Sequence, residues 1–266
     1  MWAFACGVVS ANAGSVASWR LALGVIVAGP CVCAASQIVN DWFDREVDAI
    51  NEPGRPIPSG RIPGRLGLHL ALGWSAASLV VASFLGTWGM IATFVALVLA
   101  WAYSAPPLRL KGNGWWGNLA VGVSYEGLAW ITGASVALGG SAPGVRIVVL
   151  AALYSLGAHG IMTLNDFKSI RGDRRMGVRS LPAQHGAVNA ARIACGIMLG
   201  AQLVVAGLLA SWGAVWATAA VSLLIAAQLP LMWRFHAAPV AKALWYSGVG
   251  VPLYVLGMMV AAAGIR

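Results

Sequence analysis

Apolar runs about as long as a bilayer is thick recur from one end of this chain to the other, and nothing constrains its fold more. A helix needs roughly 20 apolar residues to cross the hydrocarbon layer. Runs of that kind lie at 19–39, 66–85, 88–103, 116–137, 145–164, 188–210, 212–233 and 242–264, with a shorter one at 2–13. In lipid every backbone N–H and C=O must find its partner inside the protein, so only helices and closed barrels span. The runs are continuous and do not alternate with period two, which argues against a barrel. The expected fold is an all-α membrane protein of nine transmembrane helices, one membrane domain over residues 1–266. The first helix is read as truncated: Met1 opens directly on the apolar run with no basic segment before it, so a missing N-terminus is expected rather than a signal peptide.

Charge supports this reading. Only 9% of the 266 residues are charged, 59% are hydrophobic, and the mean hydropathy is +0.78; a soluble domain carries roughly 25% charged residues. The net charge is +9, and its placement matters more than its size. All but three of the 17 basic residues (Arg20, Arg146 and Arg266) fall in, or at helix ends adjoining, the loops after the even-numbered runs. Positive loops stay on the cytoplasmic side. With no basic tail, and with acids interleaved among the bases, nucleic acid is not an expected partner. The four cysteines lie within apolar runs and read as small buried hydrophobes.

The eight acidic residues are more informative. All but Glu126 fall in two clusters on the expected cytoplasmic face. Asn40-Asp41-x-x-Asp44-x-x-x-Asp48, with Glu46 and Glu52, closes the second run; Asn165-Asp166 closes the sixth, with Asp173 seven residues on. At about 100° per residue, Asp41, Asp44 and Asp48 share about 60° of a helix surface, and Asn40 widens that face to about 100°. Asp166 and Asp173 would share a face in the same way if their helix continued through Gly172. Carboxylates gathered beside lipid are costly unless a cation shares them.

Mg²⁺ prefers one or two carboxylates together with phosphate oxygens and water. Basic residues in the neighbouring loops, Arg55, Arg61, Arg109, Lys111, Lys168 and Arg174, suit the phosphate oxygens that the metal leaves free. Acids for the metal and bases for the phosphate together point to a diphosphate site. The loop at 51–64 carries four prolines and three glycines, so no helix is expected there.

The stretches NDWFDREVDAINEPGRPIPSGRIPG, YSAPPLRLKGNGWWGNLAVGVSYEGLAW and LNDFKSIRGDRRMGVRSLP resemble the UbiA superfamily of intramembrane prenyltransferases, in its (bacterio)chlorophyll synthase branch. The resemblance runs over nearly the whole chain. It implies a nine-helix bundle around a central cavity, with Mg²⁺-dependent transfer of a C20 prenyl group (geranylgeranyl or phytyl) from its diphosphate to the propionate of chlorophyllide or bacteriochlorophyllide. It implies that Asn40, Asp41, Asp44 and Asp48 form the first metal–diphosphate motif and Asp166 and Asp173, supported by Asn165, the second. Arg55, Arg61, Lys111, Lys168 and Arg174 become diphosphate contacts. Arg171 stands where this branch carries an acid. A bacterial inner, photosynthetic membrane, a cytoplasm-facing site, membrane lipid and other membrane proteins of pigment biosynthesis are the implied surroundings.

A propionate is already ionised near neutral pH, so the reaction needs no strong base, and the chain carries no Ser-His-Asp or Cys-His arrangement. Tyr103 and Ser104, before the Pro-Pro break, are expected near phosphate. Glu126, the intramembrane acid, is expected near the tetrapyrrole. His159 reads first as an interior histidine and second as a ligand of the pigment's magnesium. Two other functions compete. An aromatic-ring prenyltransferase of quinone biosynthesis would use the same diphosphate site. A cation transporter would instead place ionisable residues near the membrane midplane, whereas these cluster at one face.

Overall fold

The computed structural model describes all 266 residues. It is all helical, and its only β feature is one isolated bridge. We number the helices in chain order: α1, Trp2–Ser10; α2, Ser18–Asn51; α3, Leu66–Ser83; α4, Thr87–Ser104; α5, residues 114–137; α6, Val145–Asp166; α7, Ile170–Met176; α8, Leu181–Ser211; α9, Val215–Ala237; and α10, Pro239–Gly264. Seven of them (α2, α3, α4, α6, α8, α9 and α10) are long and apolar enough to cross a membrane. The two remaining expected spans differ from these. The first is the nine-residue α1. The other, α5, is interrupted by a π-helical stretch over Val123–Leu128.

Three boundaries depart from the sequence reading for physical reasons. The second run does not stop at residue 39: α2 continues through the acidic cluster to Asn51, because cationic side chains from later loops balance its polar turns. The helix expected from residue 188 is preceded by a turn beginning at Leu181, set off by a kink at Gly186 (φ 77°, ψ 159°), a backbone region essentially reserved for glycine. The helix carrying Asp166 does not extend to Asp173. It ends there, residues 167–169 turn, and Asp173 sits on the separate α7.

Helix α2 also carries a π-helical turn, Val27–Cys31, around Pro30. Proline cannot donate the backbone bond that an α-helix requires at that point. The Cys31 carbonyl there accepts from Trp74 Nε1 at 3.0 Å, which ties α3 to the irregular turn.

Packing divides into two groups. Helices α2, α3 and α4 pack on one another; α6, α8, α9 and α10 form the second group, and α1 and α5 bridge the two. The larger core, with Trp130, Tyr154, Met198, Phe235 and Tyr254, lies in the second group. Small residues set the closest approaches, as expected where lipid supplies no hydrophobic drive between helices. Gly7 of α1 and Gly133 of α5 lie against the other helix's backbone, with no room for a Cβ. Buried Gln202 and Gln228 bond reciprocally at 2.9 and 3.2 Å and join α8 to α9. Helices α2 and α6 do not pack extensively on each other; both line a cavity between them.

Candidate active site

The cavity has a volume of about 460 Å³, within the range of roughly 300–1,000 Å³ usual for ligand pockets. Its walls come from α2 (Gln37), α4 (Tyr103), α5 (Glu126) and α6 (Met162). Asp41 lies one helical turn beyond Gln37, and Asp166 one turn beyond Met162. The two acidic clusters therefore flank the same end of the cavity, from opposite helices. Tyr103, in the wall between them, is within electrostatic reach of both Asp44 and Asp166.

In the first cluster, cations hold every aspartate. Arg55 Nη1 donates to Asp41 Oδ1 at 3.0 Å and Asp48 Oδ2 at 3.1 Å, while its Nε donates to Glu52 Oε2 at 2.6 Å. Arg109 Nη2 and Lys111 Nζ donate to the two oxygens of Asp44 at 3.2 and 2.5 Å. The proline-broken loops thus return their bases onto the helix that precedes them. Burial lowers the Lys111 pKa, and the Asp44 hydrogen bond opposes that shift. The Glu52 hydrogen bond, foremost, raises that of Arg55. Asn40 Nδ2 donates to Ser104 Oγ at 3.2 Å.

The second cluster is built differently. Asp166 accepts from Asn118 Nδ2 at 3.3 Å, and the same amide reaches Thr163 Oγ1 at 3.2 Å. Asp173 Oδ2 accepts from Ser169 Oγ at 2.9 Å and Ser180 Oγ at 2.6 Å. Asn165 and Lys168 are exposed. A short backbone bridge lies in the neighbouring loops. Gly114 N donates to the Arg179 carbonyl at 2.8 Å, and Arg179 N to the Gly112 carbonyl at 3.0 Å. This bridge joins the Lys111 loop to the segment between α7 and α8.

Several expected residues lie elsewhere. Arg61 folds back on its own loop, bonding the Gly54 carbonyl and Ser59 Oγ (the latter at 3.1 Å), and pairs with none of the aspartates. Arg174 reaches the Ala183 carbonyl at 3.4 Å from an exposed position. Asp166 and Asp173 do not share one helix face. His159 is only 3% exposed, lies against the Trp115 ring at 5.4 Å and is outside the cavity wall, and neither of its ring nitrogens has a hydrogen-bond partner. Arg171 is exposed on α7. Sequence reasoning missed Asn118, Ser169 and Ser180, the groups that hold the second cluster. An amide inside a Trp- and Gly-rich apolar stretch was the available signal for Asn118.

The donors are all oxygen atoms, which suits a hard cation such as Mg²⁺. No three acidic, histidine or cysteine side chains are placed to enclose a metal ion by themselves. That arrangement fits an ion taking one or two carboxylates and completing its shell with phosphate and water, and it does not fit a closed protein cage.

A family profile described as "UbiA prenyltransferase family" matches residues 1–249. The bacteriochlorophyll synthase 33 kDa chain of Rhodobacter capsulatus is 52% identical over 100% of this chain and 88% of its own length. Among solved structures, a digeranylgeranylglyceryl phosphate synthase superposes with a TM-score of 0.76 at 22% identity, covering 98% of this chain and 93% of that one. A UbiA homolog from Archaeoglobus fulgidus bound to DMAPP and Mg²⁺ superposes with a TM-score of 0.63 at 17% identity, over 99% and 94% of the two chains.

Proposed function

The chain belongs to the UbiA prenyltransferase family and is an integral-membrane prenyltransferase, and from that premise we propose that it is a (bacterio)chlorophyll synthase, which esterifies the propionate of a tetrapyrrole acid with a C20 prenyl group from its diphosphate. The observation that carries this reading is the whole-chain likeness to the bacteriochlorophyll synthase chain. A cavity flanked at one end by both acidic clusters supports it.

Asp41, Asp44 and Asp48 on one side, and Asp166 with Asp173 on the other, would hold Mg²⁺. When bound, the metal neutralises charge on the leaving diphosphate. Arg55 and Lys111 already lie on the aspartates. As diphosphate enters, they would turn to its free oxygens, so acids and bases exchange partners without leaving a buried charge unpaired. The allylic C–O bond then breaks, and diphosphate leaves with the electron pair. A propionate oxygen forms the new bond to the allylic carbon. The apolar walls hold the isoprenoid and keep water from competing for that carbon. No proton has to be removed from the acceptor, in agreement with a site that carries no histidine.

The site would face the cytoplasm of a bacterial inner membrane, because the basic loops cluster at the acidic end. The test uses membranes containing the protein, labelled geranylgeranyl diphosphate, and a panel of chlorophyllide, bacteriochlorophyllide and 4-hydroxybenzoate. The expected product is a tetrapyrrole ester. Prenylation of the aromatic ring alone would replace this reading with the quinone-type one.

A further inference from the structure

The cavity wall is not uniformly apolar. Below the acidic end it presents Ser36 and Gln37 from α2 and Ser124 and Glu126 from α5. None of these four side chains takes a hydrogen-bond partner within the protein, and their polar atoms are not sealed from the cavity. A hydrocarbon chain satisfies none of them, and polar groups placed in lipid without partners are costly. This part of the wall is therefore built for a ligand with polar atoms of its own.

Glu126 is the centre of the group. It is the one acid outside the two clusters, and it lies within the π-helical stretch Val123–Leu128. Single π turns are frequent at functional sites. Asn118, which bonds Asp166, marks the level of the acidic end on the same helix. Glu126 is eight residues deeper, about 12 Å along the axis. That separation matches half a tetrapyrrole macrocycle plus a propionate arm, on the order of 10 Å at carbon–carbon lengths near 1.5 Å. A carboxylate oxygen is also the donor that a magnesium ion prefers.

Building on the esterification reading above, we propose that Glu126 binds the acceptor by donating a carboxylate oxygen to the central magnesium of the chlorin. It thereby sets the macrocycle with its propionate at the acidic end. Ser36, Gln37 and Ser124 provide hydrogen bonds for the oxygen substituents on the macrocycle rim. Glu126 is then a specificity-determining residue that selects the metallated pigment.

The test measures binding directly, so that it does not depend on transfer. Detergent-solubilised protein is titrated with chlorophyllide and with the same chlorin lacking its metal, following the pigment's absorption bands. The wild type should bind the magnesium form at least about 10-fold more tightly, with a shift of the bands that marks an axial ligand. Glu126→Leu, which removes every oxygen donor from the side chain, should abolish that preference and the shift, leaving affinity for the metal-free chlorin and for geranylgeranyl diphosphate unchanged. Glu126→Asp, which keeps the carboxylate, should retain part of the preference, and thermal unfolding checks that both variants fold. An unchanged preference in a folded Glu126→Leu protein would overturn the proposal, as would a wild type that binds no chlorin. A wild type that shows the preference and loses it in Glu126→Leu, yet forms no ester, would uphold the ligand assignment and remove the esterification reading.

Discussion

Asp44 is the aspartate on which two cations converge, Lys111 at 2.5 Å and Arg109 at 3.2 Å. Asp44→Asn keeps the shape and removes the charge. Transfer should fall by at least about 100-fold, the scale set by losing one electrostatic stabiliser of a reacting group, while the protein still inserts and folds. Turnover at saturating Mg²⁺, with thermal unfolding as the control, is the measurement. Asn118 acts at one remove, through Asp166. Asn118→Ala should raise the Mg²⁺ concentration for half-maximal activity about 10- to 100-fold, as loss of an outer partner of a metal ligand does, with little change in KM for the tetrapyrrole acid. The two residues also show what sequence discloses. Asp41, Asp44 and Asp48 were legible because their spacing places them on one helix face. Asn118 was not, because it meets Asp166 across 48 positions of chain, and no local pattern reports a pairing that only packing creates. The position of Arg61 was not legible for the complementary reason: the course of a proline-rich loop decides which of its arginines reaches the aspartates, and periodicity says nothing of that course.

At the scale of elements, the loop before α5 determines where Lys111 points. Asn113 caps that helix, its Oδ1 accepting from Trp115 N at 2.9 Å and Trp116 N at 3.5 Å, and its neighbour Gly114 bonds Arg179 across the bridge. Asn113→Ala should cost about 1 kcal/mol of stability and weaken diphosphate binding by loosening the Lys111 loop; Asn113→Asp should restore both. Thermal unfolding in detergent and diphosphate affinity read the two effects. The long helices were legible from hydropathy alone, and α3, α4 and α6 end within two residues of expectation. Their irregularities were not. The π turns in α2 and α5 leave the apolar pattern intact, and the continuation of α2 through its acids depends on loops that follow it. Separation of Asp173 onto α7 depends on Ser169 and Ser180, whose hydroxyls hold its carboxylate and stabilise the break.

For the whole molecule, the bundle brings one end of α2 and one end of α6 to the mouth of a single cavity. Chelation with EDTA should therefore stop transfer without unfolding the protein, and added Mg²⁺ should restore it; loss of the fold on chelation would instead mark the metal as structural. The central claim is that aspartates from two separate helices share the metal-bound diphosphate. The most direct measurement is equilibrium binding of labelled geranylgeranyl diphosphate, with and without Mg²⁺, to the wild type, Asp44→Asn and Asp166→Asn. The account predicts that Mg²⁺ strengthens binding to the wild type at least about 10-fold and that either substitution alone abolishes the gain. A folded Asp166→Asn protein with the full wild-type Mg²⁺ gain would contradict it.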